Sequence, residues 1–193
     1  MSLNILKQIN WLDIFALVLI ARVCYVALKT GFPIELFKLL GTLCAVYFSL
    51  HYYILLSDLI SKYVPVEGIP TGVLYFSVFL ILAICGYLIF SLLRNVIYNL
   101  IKLEAVSNLN KWGGLILGAG RAILLTSLII FIMVLSNIEY LKKSVKDSYS
   151  GKALYYVSVD TYAWIWSNLA SKFASNENYN ETIPQEEKGL KNK

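Results

Sequence analysis

The stretch GGLILGAGRAILLTSLIIFIMVLS, residues 113–136, carries one charge, Arg121, in a run as long as a helix that crosses a bilayer. Within it Gly114, Gly118, Ala122 and Thr126 recur every four residues, which lays a smooth stripe of small side chains along one helix face. Such a stripe is a packing seam that another backbone can approach closely. It joins helices of one chain or of several, and the spacing alone leaves both open. Arg121 flanks the seam and so points between helices, because lipid offers a guanidinium no partner.

Three further apolar runs precede this one, at residues 11–28, 33–56 and 72–93. Hydrocarbon supplies no hydrogen-bond partners, so each must be a helix that satisfies its own backbone. The fold predicted is all-α: a polytopic membrane protein with four transmembrane helices. Composition agrees, since 58% hydrophobic and 15% charged residues with a mean hydropathy of +0.65 exclude a water-soluble domain of this size. The first run is read as a retained helix instead of a signal peptide, because Asp13 and Arg22 interrupt it and no small-x-small cleavage site follows. Cys24, Cys44 and Cys85 lie in apolar runs without redox or metal-ligand spacing and are read as packing residues. The net charge of +5 is modest, and lysines are frequent beyond the fourth run, which suits anionic lipid headgroups and gives no reason to invoke nucleic acid.

The break Lys29-Thr30-Gly31-Phe32-Pro33 is a tight turn, so spans one and two form a hairpin. The next break, 63–71, holds Pro65, Gly68 and Pro70 and reads as a surface loop. After span three, Arg94 to Leu109 mixes apolar and polar residues at helical spacing and predicts an amphipathic interfacial helix. After span four a polar link, Glu139 to Ser150, leads to an aromatic-rich interfacial helix at about 151–173. Residues 1–174 thus form one membrane domain, and 175–193 a disordered polar tail.

With spans alternating in direction, the face that holds both termini is side A and the other is side B. Arg22, Glu35, Lys38 and Arg121 then fall in the leaflet of side B, and Glu35 is the only span carboxylate within reach of Arg22. Two readings stand: an Arg22–Glu35 pair that holds the first two helices in register, or a basic pocket of all four that binds an anionic headgroup or organic acid. Asp13 and His51, near side A, form a candidate proton-handling pair, although an acid in a first helical turn and a histidine before Tyr52 and Tyr53 also fit capping and interfacial anchoring. No catalytic residues, cofactor site or metal site are predicted, because HExxH and GxSxG motifs are absent and Asp13 is the only aspartate in any span.

The run Leu109, Asn110, Lys111 with Gly114, Gly118 and Arg121, together with Asn10-Trp11-Leu12-Asp13, Lys29-Thr30-Gly31-Phe32, Glu35, Gly41 and His51-Tyr52-Tyr53, resembles the bacterial colicin V production protein family. Asn110 stands where that family usually has Asp, Lys111 where it has Arg, and Ala122 where it has Gly, so a role needing a carboxylate at Asn110 is in question. The resemblance implies a multi-pass inner-membrane protein linked to colicin V production or export and to envelope homeostasis, and it supplies no reaction. A non-enzymatic accessory or scaffold follows, with membrane lipids, further copies or other membrane proteins as partners. The alternative is a subunit of an oligomeric channel or transporter. The lysines Lys142, Lys143 and Lys146 bias both termini toward the cytoplasm.

Overall fold

The structure, a computed structural model, describes residues 10–63, 70–100, 107–173, 177–180 and 182. Its helices are α1 (Trp11–Thr30), α2 (Phe32–Tyr63), α3 (Thr71–Leu100), α4 (Ser107–Leu135), α5 (Glu139–Asp147) and α6 (Tyr149–Ile165). A single π-helical turn, Trp166–Ala170, and a last helical turn, Ser171–Phe173, follow α6. There is no strand among the described residues, and α1 to α4 are each long and apolar enough to cross a membrane.

Gly31 forms the turn of the first hairpin. Its φ of +81° lies in the left-handed region that only glycine adopts without strain, and its amide returns to the Ala27 carbonyl to close α1. The Phe32 amide, orphaned at the start of α2, donates to Asn110 Oδ1 on α4 at 2.8 Å. This one bond brings the end of α1, the start of α2 and the start of α4 to a common level at side B. Asn110→Ala is therefore expected to cost about 1 kcal/mol, the usual worth of a helix cap, while Asn110→Asp retains an oxygen for the same amide. Equilibrium unfolding in mixed detergent micelles measures both, and equal losses for the two variants would exclude the capping role.

Helices α2 and α3 approach closely where Gly86 faces the Ala45 backbone, so that a Cβ at Gly86 would lie 3.0 Å from the Ala45 Cα. Aromatic rings then fill the core. Tyr53, Phe79, Phe131 and Tyr155 follow one another from α2 through α3 and α4 to α6, at centroid separations of 5.8, 5.4 and 5.6 Å.

Helix α6 lies across the side A ends of the spans. The Ser150 amide and hydroxyl donate to Asp13 on α1, the Ser158 amide donates to Ser127 Oγ on α4, and Tyr162 meets His51 on α2. Counting about 1.5 Å per residue up from the side B level, these three anchors stand at roughly 25 to 28 Å, just within the far edge of a hydrocarbon core about 30 Å thick. An in-plane helix was expected here, and it begins at Tyr149, with Ser148 Oγ accepting the Gly151 amide as its cap.

Two sequence expectations change, and a third falls partly outside the described residues. The polar link after span four is itself a helix, α5, because Ser144 and Val145 turn inward while Trp11 Nε1 and Asn10 Nδ2 bond to Ser144. The helical segment expected beyond span three is a continuation of α3, which runs unbroken past Arg94 to Leu100; α4 begins at Ser107, and residues 101–106 lie outside those described. Residues 177–180, assigned to a disordered tail, dock against α2, with Asn180 Nδ2 donating to the Leu50 carbonyl at 2.7 Å.

Candidate functional site

Glu35 sits in the first turn of α2, where a carboxylate complements the helix dipole, and it is completely buried. Its Oε1 accepts from Lys38 Nζ at 2.7 Å, one turn along the same helix, and from the Thr30 hydroxyl at the end of α1. Its Oε2 faces Arg121 Nη2 of α4 at 3.2 Å. That last contact is an ion pair without hydrogen-bond alignment, which leaves Oε2 and Arg121 Nε without a hydrogen bond among the described residues. Two cations thus enclose one carboxylate where three helices meet. Arg121 is only 6% exposed, so the contact operates in a weakly screened environment.

The seam of α4 explains how the cluster closes. A Cβ on Gly114 would lie 3.0 Å from the Ala27 carbonyl oxygen, and one on Gly118 would overlap the Ala27 methyl and come within 3.8 Å of Glu35 Oε2. Ala122 and Thr126, further along the stripe, are fully buried, and Thr126 bonds back to the Ala122 carbonyl. The seam at Gly114 and Gly118 therefore receives α1 of the same chain.

Arg22 does not join this cluster. It is exposed on the outward face of α1 and has no hydrogen bond or ion pair among the described residues, so neither the Arg22–Glu35 pair nor the four-residue pocket forms. Helix phase is the reason: Ala16 and Ala27 mark the buried face of α1, and Arg22 falls roughly a third of a turn around the helix from it.

The candidate pair of Asp13 and His51 is likewise parted. Asp13 Oδ2 accepts the Asn10 amide at 3.1 Å, while Oδ1 accepts both Ser150 donors at 2.7 Å, so its carboxylate caps α1 and fastens α6. His51 instead lies between the rings of Tyr47 and Trp166, at 5.3 and 5.1 Å. Its Nε2 meets Glu177 Oε2 at 3.0 Å and its Nδ1 meets the Tyr162 hydroxyl at 2.8 Å. In the neutral tautomer with the proton on Nε2, the ring donates to Glu177 and Nδ1 accepts from the Tyr162 hydroxyl, which in turn accepts the Asn180 amide. Burial pushes the Tyr162 phenol well above its ordinary range, which keeps that donor protonated. An open groove of about 900 Å³ runs beside this network, lined among others by Tyr52, Asp58, Glu177 and Tyr179.

Sequence reasoning missed Thr30, Ser150, Tyr162 and Glu177. A threonine just before the turn glycine and five residues before a buried glutamate could have signalled Thr30; the others depend on contacts distant in sequence. No group of histidine, cysteine, aspartate and glutamate side chains able to hold a metal ion occurs among the described residues, and the three cysteines are unpaired.

Comparison with curated proteins and with solved structures finds no match. The family model described as Colicin V production protein matches residues 12–158, which takes in the hairpin, the Glu35 cluster, the α4 seam and the docked start of α6. With its four bilayer-crossing helices and that match over more than half its length, the chain belongs to the colicin V production protein family.

Proposed function

We propose that the protein is a non-enzymatic accessory or scaffold of the inner membrane that supports colicin V production or export and envelope homeostasis, with both termini in the cytoplasm. The observation that supports this reading is the enclosure of Glu35 by Thr30, Lys38 and Arg121 without exposure to solvent. A charge cluster that faces inward and pairs its carboxylate with cations of the same chain fastens helices together; a conduit needs polar groups that face a path. Family membership supports the link to the toxin. The lysines of α5 at side A support the orientation.

Two measurements test the proposal. In a colicin V producing strain, removing the gene is expected to lower secreted toxin activity, and unchanged secretion would refute the assigned process. Purified protein reconstituted in liposomes is expected to pass chloride, phosphate and protons no faster than protein-free vesicles. Flux abolished by Arg121→Gln would instead establish the channel reading.

A further inference from the structure

An exposed arginine within a transmembrane helix demands a counter-anion. Arg22 lies about 12 Å below the Thr30 end of α1, given a rise of 1.5 Å per residue, well inside the hydrocarbon. Its side chain leans toward the helix N-terminus, away from the nearer surface at side B, so it cannot simply snorkel to water. Among the described residues the spans offer Arg22 no free carboxylate: Glu35, at comparable depth, is buried and engaged by Lys38 and Arg121, while Asp13 is bound to Ser150 near the opposite face. A second copy would bring the same engaged carboxylates. The anion must therefore come from another molecule.

We propose that the Arg22 face of α1 is a binding site for an anionic phospholipid of the side B leaflet. Arg22, Tyr25 and Lys29 recur at helical spacing along this face, and Lys29 Nζ already lies 4.4 Å above the centre of the Tyr25 ring. Lys29, in the last turn, meets the headgroup at the surface, and Arg22 draws the phosphate inward by a charge-assisted bond. Roughly a third of a turn around the helix, by the 3.6-residue period, an apolar groove of about 650 Å³ lined by Leu17, Ile20, Ala21 and Leu154 continues toward side A and offers an acyl chain a matching surface. The inference rests on the bilayer placement of α1 and is independent of the accessory role.

Native mass spectrometry on protein released from phosphatidylcholine bilayers containing one-fifth phosphatidylglycerol tests the site. Arg22→Leu is expected to lower the bound-to-free ratio of the tightest phosphatidylglycerol adduct about fivefold, the weight of one cation near an anionic surface. Lys142→Gln with Lys143→Gln, on side A, is expected to leave that adduct unchanged. In pure phosphatidylcholine, Arg22→Leu is expected to melt no lower than wild type, because it removes an unpaired charge. Undiminished adduct in Arg22→Leu, displacement of the lipid by inorganic phosphate, a lower melting point in phosphatidylcholine, or a lipid-independent crosslink from position 22 to another membrane protein would each overturn the proposal. A flux-competent protein with an intact adduct would refute the accessory role and leave this site standing.

Discussion

Replacing Glu35 by Gln lowers the stability of the folded protein by about 3 to 5 kcal/mol, the usual cost of breaking a buried ion pair from one side. The carboxylate is wholly buried and Arg121 nearly so, so little solvent screening discounts the interaction. Without the charge, Arg121 and Lys38 face each other across a neutral amide, and the guanidinium has no other anion among the described residues. Arg121→Gln is expected to cost less, because Lys38 and the Thr30 hydroxyl still hold Glu35. The double variant should lose clearly less than the sum of the two, since it removes both the charge and the group left stranded by its loss. Titration with a denaturing detergent, followed by circular dichroism, measures the cycle. A loss under 1 kcal/mol for Glu35→Gln, or strict additivity in the double variant, would show that the cluster does not bind the three helices together.

The spans and the hairpin were legible in the sequence because lipid imposes a simple rule: a backbone that cannot bond to solvent must coil, and a continuous apolar run of sufficient length records that. The convergence of Glu35, Lys38 and Arg121 was partly legible for a related reason. Depth in the bilayer follows from residue count, so groups in the same leaflet can be identified without coordinates. Rotation about the helix axis is another matter. Arg22 shares that depth and faces away from its expected partner, because α1 is apolar nearly all round and its buried face is marked only by small residues such as Ala16 and Ala27. Side A was least legible. Asp13 meets Ser150, and His51 meets Tyr162 and Glu177, across more than a hundred residues of chain, and no local spacing encodes such pairs. The opposite holds for Asn110. Its position was noticed for the carboxylate it lacks, yet the structure uses a side-chain oxygen there to cap α2, which an amide supplies as well as an acid does.

Gly118→Ala should destabilise the protein by about 1 to 3 kcal/mol, the range for overpacking a close interface, even though alanine is the better helix former by about 1 kcal/mol. The added methyl would occupy the space of the Ala27 methyl on α1, and neither is the end of a flexible side chain, so one helix must move. Movement of α1 at this level also disturbs the cluster, because Thr30 lies less than one turn beyond Ala27 and the Glu35 carboxylate lies beside Gly118. The seam thus predicts its own rescue: Ala27→Gly combined with Gly118→Ala exchanges one methyl between facing helices, conserves volume and helix propensity overall, and should return stability to within about 1 kcal/mol of wild type. Gly120 provides the control, since a Cβ there meets nothing within 4 Å and Gly120→Ala should be neutral or mildly stabilising. If Gly118→Ala and Gly120→Ala behave alike, or if the exchanged pair fails to recover, the close approach of α1 and α4 is not what holds the hairpin against the fourth span.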